Sequence, residues 1–176
     1  MKKHHKPLSR QFPAYHPKAG QPTYFVEKVW KSIGLPEKEI CFNAQDEYQN
    51  FLRANSSEVF EKPHTIRAGN NVKVGDMLRF FVWRGKPYHS KQIIVTPYFE
   101  VKKVYDFEIE IVARQYIFVK INNINLWCNA TEVDNGLIDK IAKNDGLATQ
   151  DFKDWFNFGK TNFKGQIICW NENINY

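Results

Sequence analysis

The stretch KPHTIRAGNNVKVGDMLRFFVW (Lys62–Trp83) carries the clearest structural signals of the chain. Pro63 disfavours a helical conformation of the residue before it, and Thr65–Arg67 continue naturally as a β-strand. The pair Gly75-Asp76 is typical of a turn, and it is followed by a mostly apolar run. The pattern therefore predicts a turn that leads into a strand from Met77 to Trp83.

The sequence downstream predicts further strands and one helix. The segments KQIIVTPYFEVKKVYDFEIEIV and QYIFVKINNINLWC are rich in β-branched and aromatic residues, with apolar residues alternating with glutamates at Phe107, Ile109 and Ile111. Thr149 is a candidate N-cap for a helix whose apolar stripe belongs in the core and comprises Phe152, Trp155 and Phe156. After the loop NFGKTNFKG, the residues Gln166–Trp170 predict a final strand that closes the sheet. Such a succession of short strands predicts a small barrel or a strongly curled sheet.

The sequence upstream predicts an arm followed by helices. Residues 1–22 contain four prolines and many basic residues, which predicts an extended arm without regular structure, with His4 and His5 in a mobile tail and Phe12 and Tyr15 as anchors. From Thr23 to Gly34 the apolar residues recur at helical spacing, and a second helix is expected from Ala44 to Ala54. The predicted organisation is an arm (1–22), a helical extension packed on the core (23–60) and a β-rich domain (61–176).

Composition and charge favour a single domain that binds a polyanion. The chain has 176 residues, 15% aromatic residues and a net charge of +6. Residues 1–31 hold seven Lys or Arg against one acid, and residues 61–92 hold seven against two. Basic charge concentrated in two blocks is typical of a polyanion-binding face, although a solvated surface with a basic tail is the alternative.

Other classes of protein find no support in the sequence. The three cysteines are odd in number and include no C-x-x-C pair, which disfavours both a disulfide framework and a zinc site. No apolar run has the length of a membrane span, and the N-terminus lacks the apolar segment of a signal peptide, so a cytoplasmic location is expected. The histidines have no ligand spacing, and the sequence contains no phosphate-binding loop, dinucleotide fingerprint or esterase elbow. We therefore expect no metal and no cofactor.

Two segments contain candidate functional residues. In KPHTIR, Thr65 and Arg67 share one strand face and suit the recognition of an anion or nucleotide, while Lys62, His64 and Arg67 crowd positive charge and so lower the pKa of a lysine base. An ordinary exposed strand end is the alternative. The segment WRGKPYHSKQ interleaves cations with rings, which suits single-stranded nucleic acid; the candidates there are Trp83, Arg84, Lys86, Tyr88 and Lys91. The alternative is a polar hairpin loop.

In their order and spacing, several short motifs resemble the ASCH domain of the PUA-like superfamily. They are K-x-x-T-I-R at Lys62–Arg67, then VGD at Val74–Asp76 leading into a strand, DGL at Asp145–Leu147 ahead of the helix DFKDWF, and the closing strand GQIICW. The resemblance covers about 110 residues, from Lys62 to Trp170. The preceding FPAYHPKAGQPTYFVEKV is similar to an extension of uncharacterised bacterial and phage relatives.

The resemblance implies a small PUA-like β-barrel of the α+β class whose cleft binds RNA or modified nucleosides. Some family members are amidohydrolases that deacetylate acetylated cytidine with a lysine, a threonine and a glutamate. These roles carry over to Lys62 and Thr65, and the glutamate position falls on Asp145, an acid one methylene shorter. RNA or nucleoside binding is the leading expectation; deacetylation is the alternative, with Arg67 steadying the oxyanion, and a protein-interaction module is the second alternative. The first two place the ligand in one cleft with His64, Arg67 and the aromatic hairpin.

Overall fold

Three helices and nine strands make up the described part of the chain. The computed structural model describes residues 1–35, 61–112, 116–122, 124–128, 135–157 and 162–176. The predicted helix from Ala44 to Ala54, and with it most of the predicted helical extension, lies outside the described residues. The elements are β1 (Lys3–Pro7), α1 (Phe25–Ser32), β2 (His64–Ala68), β3 (Met77–Trp83), β4 (Gln92–Ile94), β5 (Phe99–Glu100), β6 (Lys103–Val112), β7 (Tyr116–Ile121), β8 (Ile124–Cys128), α2 (Asn135–Asn144), α3 (Thr149–Phe156) and β9 (Asn162–Cys169).

The strands form two sheets. The larger sheet has the order β2-β9-β6-β7-β8 and is antiparallel throughout. The smaller sheet has the order β1-β3-β4, and β5 also pairs with β3. The predicted α+β class is confirmed, and over the described ranges the two sheets do not join into a closed barrel.

The alternation of apolar residues that the sequence predicts for β6 is confirmed. Phe107, Ile109 and Ile111 are buried, and Phe107 lies 6.0 Å from the ring of Phe156 on α3. Phe152 is fully buried one turn earlier on the same helix. Phe156 therefore packs on the larger sheet, whereas Trp155 of the same stripe contacts the ring of Phe25 on α1.

The strand β9 begins earlier than predicted. It starts at Asn162 instead of Gln166, so the end of the expected loop belongs to the strand. Gly165 is paired with Ala68 on β2, and a Cβ added to it would lie 2.1 Å from the carbonyl oxygen of Arg67. The sequence predicted a loop position for Gly165, whereas in the structure this glycine lets the backbones of β2 and β9 approach closely. As a result, β9 lies between β2 and β6 in the middle of the sheet.

The N-terminal arm is partly regular, which corrects the prediction for residues 1–22. β1 pairs in parallel with β3, from Lys3 opposite Met77 to Pro7 opposite Phe81. His4 is not in a mobile tail, because its Nε2 lies 2.9 Å from Asp76 Oδ2, and His5 Nε2 contacts the Tyr98 hydroxyl. The four prolines begin only at Pro7, where β1 ends, so they leave the preceding residues free to pair.

Two anchors hold the rest of the arm on the core. Phe12 is buried and lies 5.9 Å from the ring of Trp155, and Tyr15 donates to the Trp155 carbonyl at 3.2 Å. Thr23 Oγ1 donates to the Ser9 carbonyl at 2.6 Å, just before α1. The N-cap of α1 is Tyr24, one residue after the start of the predicted helical spacing at Thr23, and Gly34 follows the helix. Within the described ranges, no helix has the length and apolar character needed to cross a bilayer.

Candidate functional site

A buried ion pair joins the start of the K-x-x-T-I-R motif to the end of α2. Lys62 Nζ donates to the backbone carbonyl of Asp145 at 2.6 Å and also contacts the carboxylate of that residue. The same carboxylate accepts a hydrogen bond from the backbone N–H of Ile66 on β2. Lys62 and Asp145 are only 1% and 7% exposed, so the pair is shielded from water. The two residues that the sequence suggested as base and acid are therefore in direct contact.

The end of α2 positions Asp145. The backbone N–H of Asp145 donates to Ile141, that of Gly146 to Lys143 and that of Leu147 to Ala142, which closes the helix with a tight terminal turn. Gly146 has a φ of +76°, and a Cβ there would lie 3.2 Å from Cβ of Lys62. The turn thus requires glycine for its conformation and for the close approach of the lysine.

A second lysine binds the same turn from α1. Lys28 Nζ donates to the Gly146 carbonyl at 2.6 Å, and Lys62 Nζ lies 4.3 Å from the centre of the Phe25 ring. Burial lowers the pKa of Lys62 to about 8, although the charge of Asp145 opposes this shift. Burial also lowers the pKa of Lys28 to about 8. Two amines with lowered pKa values therefore lie beside the backbone of residues 145 and 146.

His64 forms the inner wall of the cluster. Its Nδ1 lies 2.6 Å from the hydroxyl of Tyr176, which accepts a hydrogen bond from Asn144 at 2.8 Å. Burial raises the pKa of Tyr176, so this hydroxyl stays protonated. Burial, together with the charge of Lys62, lowers the pKa of His64 well below its usual value, which favours the neutral ring.

Nε2 of His64 has no hydrogen-bond partner among the described residues. It is completely enclosed and lies 3.7 Å from Asp145 Oδ1, which is beyond hydrogen-bond distance. A buried polar nitrogen without a partner costs free energy.

Thr65 and Arg67 lie on the strand face opposite to His64. Thr65 is 2% exposed, and in the described part of the chain no hydrogen bond joins its hydroxyl to Lys62. Arg67 Nη2 donates to the Pro7 carbonyl at 2.6 Å and thereby links β2 to β1 of the smaller sheet. The structure therefore brings Lys62, His64 and Asp145 close together. Thr65 and Arg67 belong to the opposite strand face, although the charge of Arg67 still acts on Lys62 and Asp145.

The aromatic residues of the hairpin between β3 and β4 lie at a different place. Trp83 and Tyr88 have ring centres 5.4 Å apart and contribute to the wall of a groove with a volume of about 770 Å³. We call this the arm–hairpin groove, because it is lined by Pro7, Leu8, Ser9, Arg10, Gln11, Phe12 and Pro22 of the arm and by Trp83, Arg84, Gly85, Pro87 and Tyr88 of the hairpin. Lys86 and Lys91 are exposed on the same hairpin but do not line the groove.

The sequence predicted one cleft that contains both the K-x-x-T-I-R motif and the aromatic hairpin, whereas in the structure the two lie in different places. The arm–hairpin groove is not lined by Lys62, Thr65 or Asp145, and neither is a smaller cavity of about 430 Å³ whose lining includes Asp106, Glu108, Lys120 and Lys164. The physical reason is that β2 and β3 belong to different sheets, so motifs close in sequence point to different regions.

Several residues of the buried cluster were not anticipated from the sequence. Lys28, Asn144, Gly146 and Tyr176 all contact its members, and Tyr176 is 112 positions away from His64. The only local signal was the glycine after Asp145, which is typical of a helix C-terminus, but helix α2 itself was not predicted.

The chain matches no family model, and no curated protein or solved structure matches it either. Its function is therefore inferred from the geometry of its own side chains.

Proposed function

We propose that the protein binds single-stranded RNA in the arm–hairpin groove. The observation that carries this proposal is the ring pair of Trp83 and Tyr88 in the groove wall, with Arg84 beside it. Aromatic faces that stack on bases, next to cations that bind phosphates, are the usual means of holding single-stranded nucleic acid.

The conformation of Tyr88 supports a binding role. Its φ is +64° and its side chain is 85% exposed. A left-handed conformation is unfavourable for a bulky residue, and an exposed ring gains nothing from burial in the core. Strained residues concentrate at functional sites, and here the strain presents a ring to the groove.

The charge distribution supports the same surface. The two basic blocks of the sequence, residues 1–31 and 61–92, supply the two walls of the groove. The arm is held there by the pairing of β1 with β3 and by the buried ring of Phe12. A polyanion that enters the groove therefore meets positive charge from both sides.

The direct test measures the affinity of the protein for a fluorescently labelled oligouridine at low salt. Tyr88→Ala and Trp83→Ala are each expected to weaken binding by roughly 5- to 150-fold, the cost of one stacked base. Tyr88→Phe is the matched control, since it keeps the ring, and it should bind like the wild type. Wild-type protein that fails to bind at low salt would refute the proposal and favour a protein partner for these exposed rings.

We propose deacetylation of acetylated cytidine as a second candidate, favoured by the contact between Lys62 and Asp145. The K-x-x-T-I-R and DGL motifs also support our proposal that the chain is a relative of the ASCH family with a PUA-like barrel. This reaction requires the Thr65 hydroxyl to come within hydrogen-bond distance of Lys62 Nζ, whose neutral amine then takes the Thr65 proton as the Thr65 oxygen attacks the acetyl carbonyl. The C–N bond breaks as Lys62 returns this proton to the nitrogen of cytidine, which leaves with a neutral amino group. Water then hydrolyses the acetyl ester of Thr65, which releases acetate and restores the hydroxyl, and Asp145 orients the lysine. The lowered pKa of Lys62 favours the neutral amine that this step needs.

This second candidate is tested by incubating the protein with acetylated cytidine and measuring released cytidine. Turnover should disappear in Lys62→Ala and in Thr65→Ala. Thr149→Ala controls for the loss of a hydroxyl elsewhere, because the Thr149 hydroxyl donates to Asp139 on the exposed face of α2. A wild-type protein that releases no cytidine rules this activity out.

A further inference from the structure

Two cations from different sheets lie close to each other next to the arm–hairpin groove. Arg67 on β2 donates from Nη2 to the carbonyl of Pro7, and Lys6 is the residue that precedes this proline on β1. Lys6 and Arg67 are both half-buried residues. The last residue of β1 therefore links this pair of cations to the groove, which Pro7 also lines.

The pair has unused capacity for an anion. Arg67 Nε is enclosed and has no hydrogen-bond partner among the described residues. In the same part of the chain, neither Lys6 nor Arg67 has a carboxylate within salt-bridge distance; the carboxylate of Asp145 attracts Arg67 only from farther away. A guanidinium presents its donors in a fixed fork, so a tetrahedral anion can use the nitrogens that Pro7 leaves free.

The electrostatics of the unbound pair are unfavourable. Burial lowers the pKa of Lys6, and the positive charge of Arg67 lowers it further. Two like charges that approach without a counter-charge repel each other, and an anion between them converts this repulsion into attraction.

We propose that a backbone phosphate of the bound RNA lies between Lys6 and Arg67. This subsite rests on the proposed RNA binding and specifies it further: the groove holds bases against Trp83 and Tyr88, and the arm supplies a phosphate contact at its end. Arg67 donates to the carbonyl of the groove-lining Pro7, so the guanidinium lies at the end of the groove. The subsite also gives the N-terminal strand a function, since β1 brings Lys6 to Arg67.

The test is the salt dependence of oligouridine binding, measured for the wild type, Lys6→Gln and Lys6→Arg. Each phosphate contact to a single strand contributes about 0.7 to the slope of log K against log salt. We expect Lys6→Gln to reduce the magnitude of the slope by about 0.7, and Lys6→Arg to keep it. Lys73→Gln is the matched control, because Lys73 is an exposed lysine of the second basic block outside the groove, and its slope should equal that of the wild type.

The outcomes separate the subsite from the proposed function. If all four proteins bind RNA with one common slope, the phosphate subsite is wrong while groove binding stands. If the wild type binds no RNA, the proposed function fails and the subsite fails with it. Lys6→Arg guards against a folding defect: a slope lost in both Lys6 variants would show that the arm, and not the charge, was disturbed, and would overturn the proposal.

Discussion

At the scale of single residues, Lys62 and Asp145 form a buried ion pair. The carboxylate receives Lys62 Nζ and the backbone N–H of Ile66, and burial raises its pKa while the charge of Lys62 opposes this effect. An ion pair of this kind is costly to desolvate, so it adds little net stability, but removal of one partner leaves a buried charge alone.

We therefore expect Asp145→Asn to destabilise the protein by about 3–5 kcal/mol, because Lys62 loses its counter-charge. The double variant Lys62→Met, Asp145→Asn should recover part of this loss, since no buried charge remains. Urea unfolding measures both, with Asp139→Asn on exposed α2 as the control. A single variant as stable as the wild type would show that the amine is already neutral or solvated.

Gly146 offers a second prediction at the same scale. Gly146→Ala places a Cβ 3.1 Å from Lys28 Cδ and 3.2 Å from Lys62 Cβ at a φ of +76°. Gly69→Ala is the matched control, because Gly69 has a φ of +83° and no atom within 4 Å of the added Cβ. We expect the control to cost about 1–2 kcal/mol from backbone strain alone, and Gly146→Ala to cost roughly 1–3 kcal/mol more. Equal losses in thermal or urea unfolding would mean that the two lysines move aside freely.

At the scale of elements, β1 is a strand that could not be predicted from the sequence. The bounds of β3 were predicted from the turn before it and from its own apolar run. The pairing of β1 with β3 joins residues more than 70 positions apart, and nothing in the composition of KHHKP signals a strand. Local signals therefore predicted the strand β3 and the helices α1 and α3, whereas the parallel strand β1 depended on an available sheet edge.

The candidate site, too, could be predicted from the sequence only in part. The type of each residue in K-x-x-T-I-R indicated its chemistry, and Lys62 contacts Asp145, the acid that the resemblance paired with it. The position of Tyr176 against His64 and the distance of the aromatic hairpin from the buried cluster depend on which sheet each strand joins. Tertiary topology of this kind has no signature within a short window of sequence.

Asp76 connects β1 to β3 and makes the acid stability of this pairing testable. Its carboxylate accepts hydrogen bonds from the backbone N–H groups of Lys2 and Lys73, and His4 lies 2.9 Å away. The Lys2 N–H makes the largest contribution, and His4 the next largest, to holding the pKa of Asp76 well below its usual range. A lowered folded-state pKa gives stability that is present above the unfolded pKa of about 3.9 and is lost as the pH falls towards the folded value.

We expect the free energy of unfolding of the wild type to fall between about pH 4 and pH 2, and Asp76→Asn to flatten this part of the profile. Unfolding in urea at several pH values measures the slope, and Asp139→Asn controls for the loss of one acid from the surface. Parallel profiles for wild type and Asp76→Asn would contradict the role given to this carboxylate at β1.

At the scale of the whole molecule, the fold brings together two basic blocks that are distant in sequence. The arm and the hairpin between β3 and β4 form one groove, and the Lys62–Asp145 cluster lies in a separate buried region. We therefore propose that RNA binds in the groove and that any chemistry of Lys62 takes place elsewhere. This proposal requires the ligand to contact the arm and the hairpin simultaneously.

Titration of isotope-labelled protein with a short oligouridine, followed by NMR, locates the ligand directly. We predict that the indole N–H signal of Trp83 and the amides of Arg84, Tyr88 and the arm from Leu8 to Phe12 shift together with one binding constant. The largest shifts at Lys120 and Lys164 around the smaller cavity, or no shifts at saturating RNA, would contradict the account.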